Sequence, residues 1–248
     1  MDDLLKSKSE EFAKKFNVEP SFYDFAYSPI IQSGGVYDLK PNAESTNAKL
    51  THDCILLSIG SKYFEFNTNL VRTVLINATK EEQTAYMAIY KGFKTLIKEL
   101  KPKAVLKDVY DKTRETILSV DKSYHAALPN YFGFGTGLEF RESCLLINDK
   151  NDKKVKENQI YNIVLSLKNL KTASGRNFCI QIGDTVRITD EGNIILTDSV
   201  SKKYDDIGYT LDGNAEEDKT KNEQKPKKTK VSEILNDNEP GYKTRYRR

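Results

Sequence analysis

The spacing of apolar residues changes period several times along the chain, and each change marks an element. In residues 2–16, Leu5, Phe12 and Phe16 fall on one face with Lys and Glu opposite, the pattern of a short amphipathic helix. An apolar and aromatic run from Tyr27 to Pro41, bracketed by prolines and bent at Gly34-Gly35, predicts extended chain around a turn. Between Lys49 and Asn77 the pattern is that of strands. Cys54–Gly60 is apolar and ends on a turn glycine, Tyr63–Phe66 alternates, and Leu70–Ile76 is rich in β-branched residues, so an antiparallel meander is predicted.

The period then becomes helical. Thr79 and Glu82 have capping-box spacing, and the helix they open runs to about Leu100, where Lys101-Pro102 stops it. Leu106, Val109, Tyr110, Thr113 and Ile117 recur at helical spacing up to about Val120. Strands are predicted again at Ser143–Ile147, Ile160–Leu167, Phe178–Ile182 and Thr185–Thr189, and Gly192-Asn193 turns the chain into Ile194–Thr197. Two consecutive helices after a meander, each with one apolar stripe, predict an α+β fold: a mostly antiparallel sheet covered on one face by helices.

Composition changes this picture at the C-terminal end. A 38% hydrophobic content over 248 residues supports a substantial core, yet 30% of residues are charged. Beyond Asp212 the chain turns to runs such as Glu216-Glu217-Asp218-Lys219 and Lys225–Lys230, which cannot bury enough surface to offset their ordering entropy. The predicted divisions are therefore 1–38, an N-terminal helix and extended lead-in; 39–211, the folded domain; and 212–248, a charged disordered tail or linker with Ile234, Leu235 and Tyr242 as docking points.

The net charge of +3 gives no global field for nucleic acid, so little direct nucleic-acid binding is expected. Lys225–Lys230, Arg245, Arg247 and Arg248 read as solvated linker or an import signal, because acids intersperse them. Cys54, Cys144 and Cys179 are odd in number, far apart and each within an apolar run, which predicts reduced core cysteines of an intracellular protein. The N-terminus carries acids where a signal peptide has bases, and no run approaches the roughly 20 apolar residues of a membrane span.

Gly133-Phe134-Gly135-Thr136-Gly137-Leu138-Glu139-Phe140-Arg141-Glu142 has glycine at every second position before an alternating apolar and charged run. That pattern predicts a tight backbone crossing, a packed turn or a close approach to a ligand. Arg141 and Glu142 read as a surface ion pair and as candidate partner-binding residues. Tyr23, Phe25 and Tyr27 form an aromatic cluster that covers a sheet edge or marks a recognition surface, and His125 reads as a solvent or capping residue.

The order of these motifs resembles the methionine-aminopeptidase and creatinase family, the pita-bread fold, over about Leu39 to Thr197. The shared features are a meander ending Asn-Leu-Val-Arg-Thr, a helix pair, the Gly-x-Gly-x-Gly-Leu-Glu crossing and a late Gly-Asp-Thr-Val-Arg-Ile-Thr-Asp-Glu-Gly hairpin. The resemblance implies a site for two metal ions held by two Asp, one His and two Glu, where carboxylates bridge the cations and the metals activate water. Those positions fall on Ser58, Asn69, Phe134, Val164 and Gly183. Four carboxylates and an imidazole are replaced by groups without formal charge, so neither metal nor cofactor is expected and the chain reads as a pseudoenzyme. A shifted alignment with Glu139, Glu142 or Asp184 as ligands would leave a divergent metallopeptidase or prolidase-like hydrolase as the alternative.

Within that family the chain is similar to the peptidase-like domain of the large subunit of FACT-type histone chaperones, through the runs Pro29–Pro41, Gly133–Ser143 and Asn162–Leu170. What precedes Ser28 is too short for that domain's N-terminal lobe, so the resemblance is to the C-terminal lobe. It implies a nuclear, chromatin-associated module that binds histones or other replication and transcription factors during nucleosome reorganisation in transcription, DNA replication and DNA repair. The small FACT subunit is expected to be reached through regions absent here. The former cleft is expected either to be filled by Phe134 or to persist as a peptide groove.

Overall fold

A computed structural model describes residues 11, 14–40, 43–46, 49–51, 53–211 and 227–228. Its centre is an open sheet whose main path runs β1 (Tyr23–Gln32), β2 (Cys54–Tyr63), β3 (Phe66–Ile76), β6 (Asn177–Arg187), β5 (Ile160–Lys171) and β4 (Gly133–Gly135), every neighbouring pair antiparallel. Two helices, α1 (Lys80–Glu99) and α2 (Leu106–Leu118), lie between β3 and β4 in the chain. β7 (Ile194–Ile195) pairs with β6, and after the short α3 (Tyr204–Ile207), β8 (Gly208–Thr210) runs parallel to β3.

The helices cover one face, as the two apolar stripes predict. Ala85, Ile89, Phe93 and Leu96 of α1 and Leu106, Val109 and Ile117 of α2 are buried with Ile163, Leu165, Ile180, Ile182 and Val186 of the sheet. Gly92 sets how close the layers come: a Cβ there would sit 2.5 Å from Ile117 Cγ1 and 3.3 Å from Leu165 Cδ2. The capping box forms as its spacing predicts, with Thr79 N–H donating to Glu82 Oε2 at 2.9 Å and Glu82 N–H to Thr79 Oγ1 at 3.4 Å. Arg176 then reaches both carboxylate oxygens of the buried Glu82 at 2.9 Å, pinning the start of α1 to the end of the β5–β6 hairpin.

The halves β1–β3 and β4–β6 meet at a sparse seam. Among the described residues β3 and β6 share the single register pair Val71↔Gly183. Threonine hydroxyls bridge the strands elsewhere along it. Thr73 Oγ1 accepts from Gln181 N–H at 2.8 Å and donates to Gln181 C=O at 2.9 Å. Thr185 Oγ1 does the same for Asn69, at 2.8 and 3.1 Å. Each hydroxyl thus satisfies one backbone donor and one backbone acceptor that would otherwise be buried without partners.

Several expectations are corrected. Tyr63–Phe66 is not an alternating strand: Phe64 and Glu65 form a two-residue hairpin turn, both at positive φ (47° and 65°), between the paired Tyr63 and Phe66. Ser143–Leu145 is a 3-10 turn rather than a strand, and within the run Cys144–Ile147 the buried residue is Ile147. Cys144 is consequently exposed, whereas Cys54 and Cys179 are buried, with the Cys54 thiol donating to Cys179 C=O at 3.0 Å. Glu11 and residues 14–16 are helical, and Phe16 is 53% exposed; Leu5 and Phe12 lie outside the described residues. Lys227–Lys228 (β9) pairs with β8, inside the span predicted as tail; Ile234, Leu235, Tyr242 and the rest of 212–248 lie outside the described residues. His125 is exposed in a 3-10 turn, as read from the sequence.

Candidate functional site

Side chains alternate along a strand, and directly opposed residues of neighbouring strands share a face. The register therefore decides which positions meet. Ser58 opposes Val71, Asn69 opposes Gly60, Val71 opposes Gly183, Gly183 opposes Val164, and Phe134 opposes Asn162, two residues before Val164. Ser58, Asn69, Phe134, Val164 and Gly183 thus lie on one face of the sheet. It is the face opposite the helices, since the alternate residues Ile163, Leu165 and Ile182 pack in the helix-covered core.

A residue not expected there fills the centre. In a regular strand Tyr23, Phe25 and Tyr27 would share a face, but a β-bulge puts Phe25 opposite Ser61 and Tyr27 opposite Gly60. The bulge splits the expected aromatic cluster: Tyr23 and Phe25 stay on the far face, edge to face at 6.4 Å, and Tyr27 turns to the near one. Its ring covers Gly60 so closely that a Cβ on Gly60 would overlap it. Its hydroxyl bonds to Asn69 Oδ1 and lies 2.6 Å from Ser58 Oγ. Because an amide oxygen only accepts, the phenol donates to Asn69 and accepts from Ser58. Asn69 Nδ2 in turn donates to Asn162 Oδ1 at 3.2 Å. Burial pushes the Tyr27 phenol up to about 12, partly offset by the Ser58 hydrogen bond, which keeps it neutral.

The rest of the face is closed by aromatics. Phe134 is 3% exposed, with Phe140 at 5.7 Å and Tyr131 at 6.3 Å between ring centroids, and Phe140 also meets Tyr27 edge to face at 5.4 Å. Arg141 lies over the rings of Tyr131 (4.9 Å) and Phe134 (5.4 Å). It is not the surface partner of Glu142: among the described residues no ion pair joins them, and the extended backbone at Glu142 sends neighbouring side chains to opposite sides. Phe134 is buried at this face, as one of the two expected forms of the cleft has it, but Tyr27, not Phe134, sits between Ser58 and Asn69.

A dinuclear metal centre does not fit these residues. The oxygens of Ser58 and Asn69 are neutral and engaged by Tyr27, Phe134 and Val164 offer no lone pair, and a Cβ on Gly183 would already sit 2.9 Å from Val71 Cγ2 and 3.1 Å from Ile163 C=O. The residues of a shifted alignment do not supply the missing donors. Asp184 points to the helix side, held by Arg72 at 2.8 Å, Thr197 Oγ1 at 2.6 Å and Lys202 at 3.4 Å, and Glu139 is exposed. Among the described residues no three His, Cys, Asp or Glu side chains gather in metal-binding proximity. Sequence reasoning missed Tyr27 as the occupant, along with Asn162 and Thr185. A bulge has no reliable sequence signature, and Gly60 opposite an aromatic strand was the one available hint.

Residues 5–190 match the model of metallopeptidase family M24. The FACT complex subunit SPT16 of Zea mays is 34% identical over 221 residues, 85% of this chain and 21% of that protein, and the Dictyostelium discoideum protein of the same name is 31% identical over 217 residues. Among solved structures, the N-terminal domain of FACT complex subunit SPT16 from Eremothecium gossypii superposes with a TM-score of 0.78 at 32% identity, covering 84% of this chain and 51% of that one. The X-Pro aminopeptidase from Thermotoga maritima shares the fold at 22% identity, with a TM-score of 0.64 over 75% of this chain and 50% of that one. The chain therefore spans about a fifth of the curated relatives it matches and about half of the solved domains.

Proposed function

The chain belongs to metallopeptidase family M24, and we propose that within it this chain is a non-catalytic, peptidase-like module of a FACT-type histone chaperone, binding histones or other chromatin proteins in the nucleus. The observation that carries the reading is the Tyr27 phenol seated between Ser58 and Asn69. These are two of the positions where the family's metal-holding aspartates would stand, so the space for ions is taken by a neutral hydroxyl. The likeness to SPT16 proteins supports the chromatin assignment.

A packed former active site directs binding to the outside of the face. Partner residues would meet the partly exposed Tyr131, Phe140, Arg141 and Glu142 rather than enter a pocket, and Tyr23 would serve a separate surface across the sheet. Tyr27, whose hydroxyl is committed inside, holds this face together instead of contacting a partner. Titration with histone tail peptides and with folded core histones tests the reading; absence of saturable binding to both would sink it. Metal analysis of protein purified without chelator tests the non-catalytic part. Stoichiometric zinc, manganese or cobalt together with hydrolysis of an X-Pro dipeptide would establish the hydrolase alternative.

A further inference from the structure

The face opposite the helices carries donors without acceptors. Arg141 Nε is buried and has no hydrogen-bond partner, and Asn162 Nδ2, on a side chain 1% exposed, has none either. The Asn162 amide is oriented by its oxygen, which accepts from Asn69 Nδ2, so the nitrogen is the unmatched end. Both flank one ring: Arg141 lies over Phe134, and Asn162 stands directly across the strand pair from it. No carboxylate of the described residues lies within ion-pair distance of Arg141. Arg72 of β3 and Arg176 of the β5–β6 turn have carboxylates at 2.8 and 2.9 Å, and Arg187 at the end of β6 has the Asn158 amide oxygen at 2.7 Å.

A half-desolvated guanidinium is costly unless a negative charge completes it. Contact with the Tyr131 and Phe134 rings restricts the fork and lowers the entropy lost when it binds; Nε is the buried, unpartnered nitrogen, and the residue as a whole is partly exposed. Glu142 and Glu139 are the nearby acids in sequence. Glu142 is turned away along the extended backbone toward Gly137, and Glu139 is exposed.

We propose that Arg141, held on Tyr131 and Phe134, is a carboxylate-binding site, and that the segment docking on this face is an acidic peptide of a chromatin partner rather than a basic histone tail. The site rests on the reading of this face as partner-binding and names the chemistry of what it takes: an Asp or Glu side chain accepting two parallel N–H bonds from the guanidinium.

The probe is the pentapeptide acetyl-Ala-Glu-Ala-Glu-Ala-amide, titrated into the full chain labelled with nitrogen-15, alongside its Gln and Lys counterparts. The expected result is saturable binding that shifts the Arg141 Nε–H resonance and the Tyr131 ring protons, and weakens roughly tenfold or more for the Gln peptide and for Arg141→Lys, which keeps the charge and loses the fork. Tyr131→Leu, which frees the guanidinium without removing it, weakens binding while the thermal melt shows a folded chain. Equal binding of the Gln peptide, tighter binding of the Lys peptide, unchanged affinity of Arg141→Lys, or a non-saturable response seen only at low salt would each overturn the site. Histone binding that persists when the pentapeptide fails removes the carboxylate site alone. Pentapeptide binding without any histone binding removes the chaperone reading and leaves the site.

Discussion

The guanidinium of Arg72 on β3 and the carboxylate of Asp184 on β6 meet at 2.8 Å across the seam of the sheet, with side chains 4% and 0% exposed. Every N–H of the arginine is used: Nε toward Val200 and Ser201 C=O, one terminal nitrogen on Val71 and Gly183 C=O, the other on Val200 C=O and Asp184. Removing it would strand a buried carboxylate beside Lys202 and leave four residues' carbonyls with one acceptor site unfilled. Arg72→Met is therefore expected to lower unfolding stability by roughly 3–5 kcal/mol. Arg72→Lys should recover little of it, since an ammonium cannot reproduce the fork. Urea denaturation of both variants measures this.

Tyr27 makes a prediction in pH. Its folded-state value, about 12, stands above the ordinary 10.0. Between those values the unfolded chain has lost the proton and the folded chain keeps it, so the contribution present below pH 10 is lost as pH rises toward 12, at about 1.4 kcal/mol per pH unit for this one group. Tyr27→Phe removes that slope. It also leaves Ser58 and Asn69 short of a partner, costing about 1–3 kcal/mol at neutral pH. Unfolding curves at several alkaline pH values, with ultraviolet titration of the phenol, check both parts.

Gly183→Ala tests how tightly the former cleft is packed. The added methyl meets Val71 Cγ2 at 2.9 Å and the Ile163 carbonyl at 3.1 Å, and the backbone contact is the less able to yield. A loss of about 1–3 kcal/mol is expected. A variant as stable as the parent would show that the face has room this geometry denies.

The start of α1 has two supports that share Glu82. Thr79→Ala removes the side-chain acceptor for Glu82 N–H and is expected to cost about 0.5–2 kcal/mol. Arg176→Ala removes the cation facing the buried Glu82 and should cost about 1–3 kcal/mol. Both substitutions touch Glu82, so the double variant should depart from additivity, and a double-mutant cycle measures by how much.

The parts of the fold legible in the sequence are those decided by neighbours in the chain. Thr79 and Glu82 announce a helix because a capping box is closed within one turn. The apolar run at Ile160–Leu167 announces a strand because both its faces are covered, and the run at Cys54–Gly60 does so although Ile59 is exposed. The sharing of one face by Ser58, Asn69, Phe134, Val164 and Gly183 was reachable only through the family resemblance, since it depends on strand register. What stayed hidden depends on single-residue shifts. The bulge between Phe25 and Tyr27 reverses the side on which Tyr27 points, and the hairpin turn uses Phe64 and Glu65 where glycine or asparagine would have signalled it. Cys144 sits in an apolar run that curls into a turn, so its hydrophobic neighbours gave it a core assignment that it does not have.

The threonine bridges at the seam have a mechanical meaning. Where an ordinary ladder spreads a shearing force over many parallel backbone bonds, the β3–β6 boundary concentrates it on the Thr73 and Thr185 hydroxyls and the Arg72 fork. A pull applied along β3 against β6 is expected to load those three side chains before the regular ladders on either side.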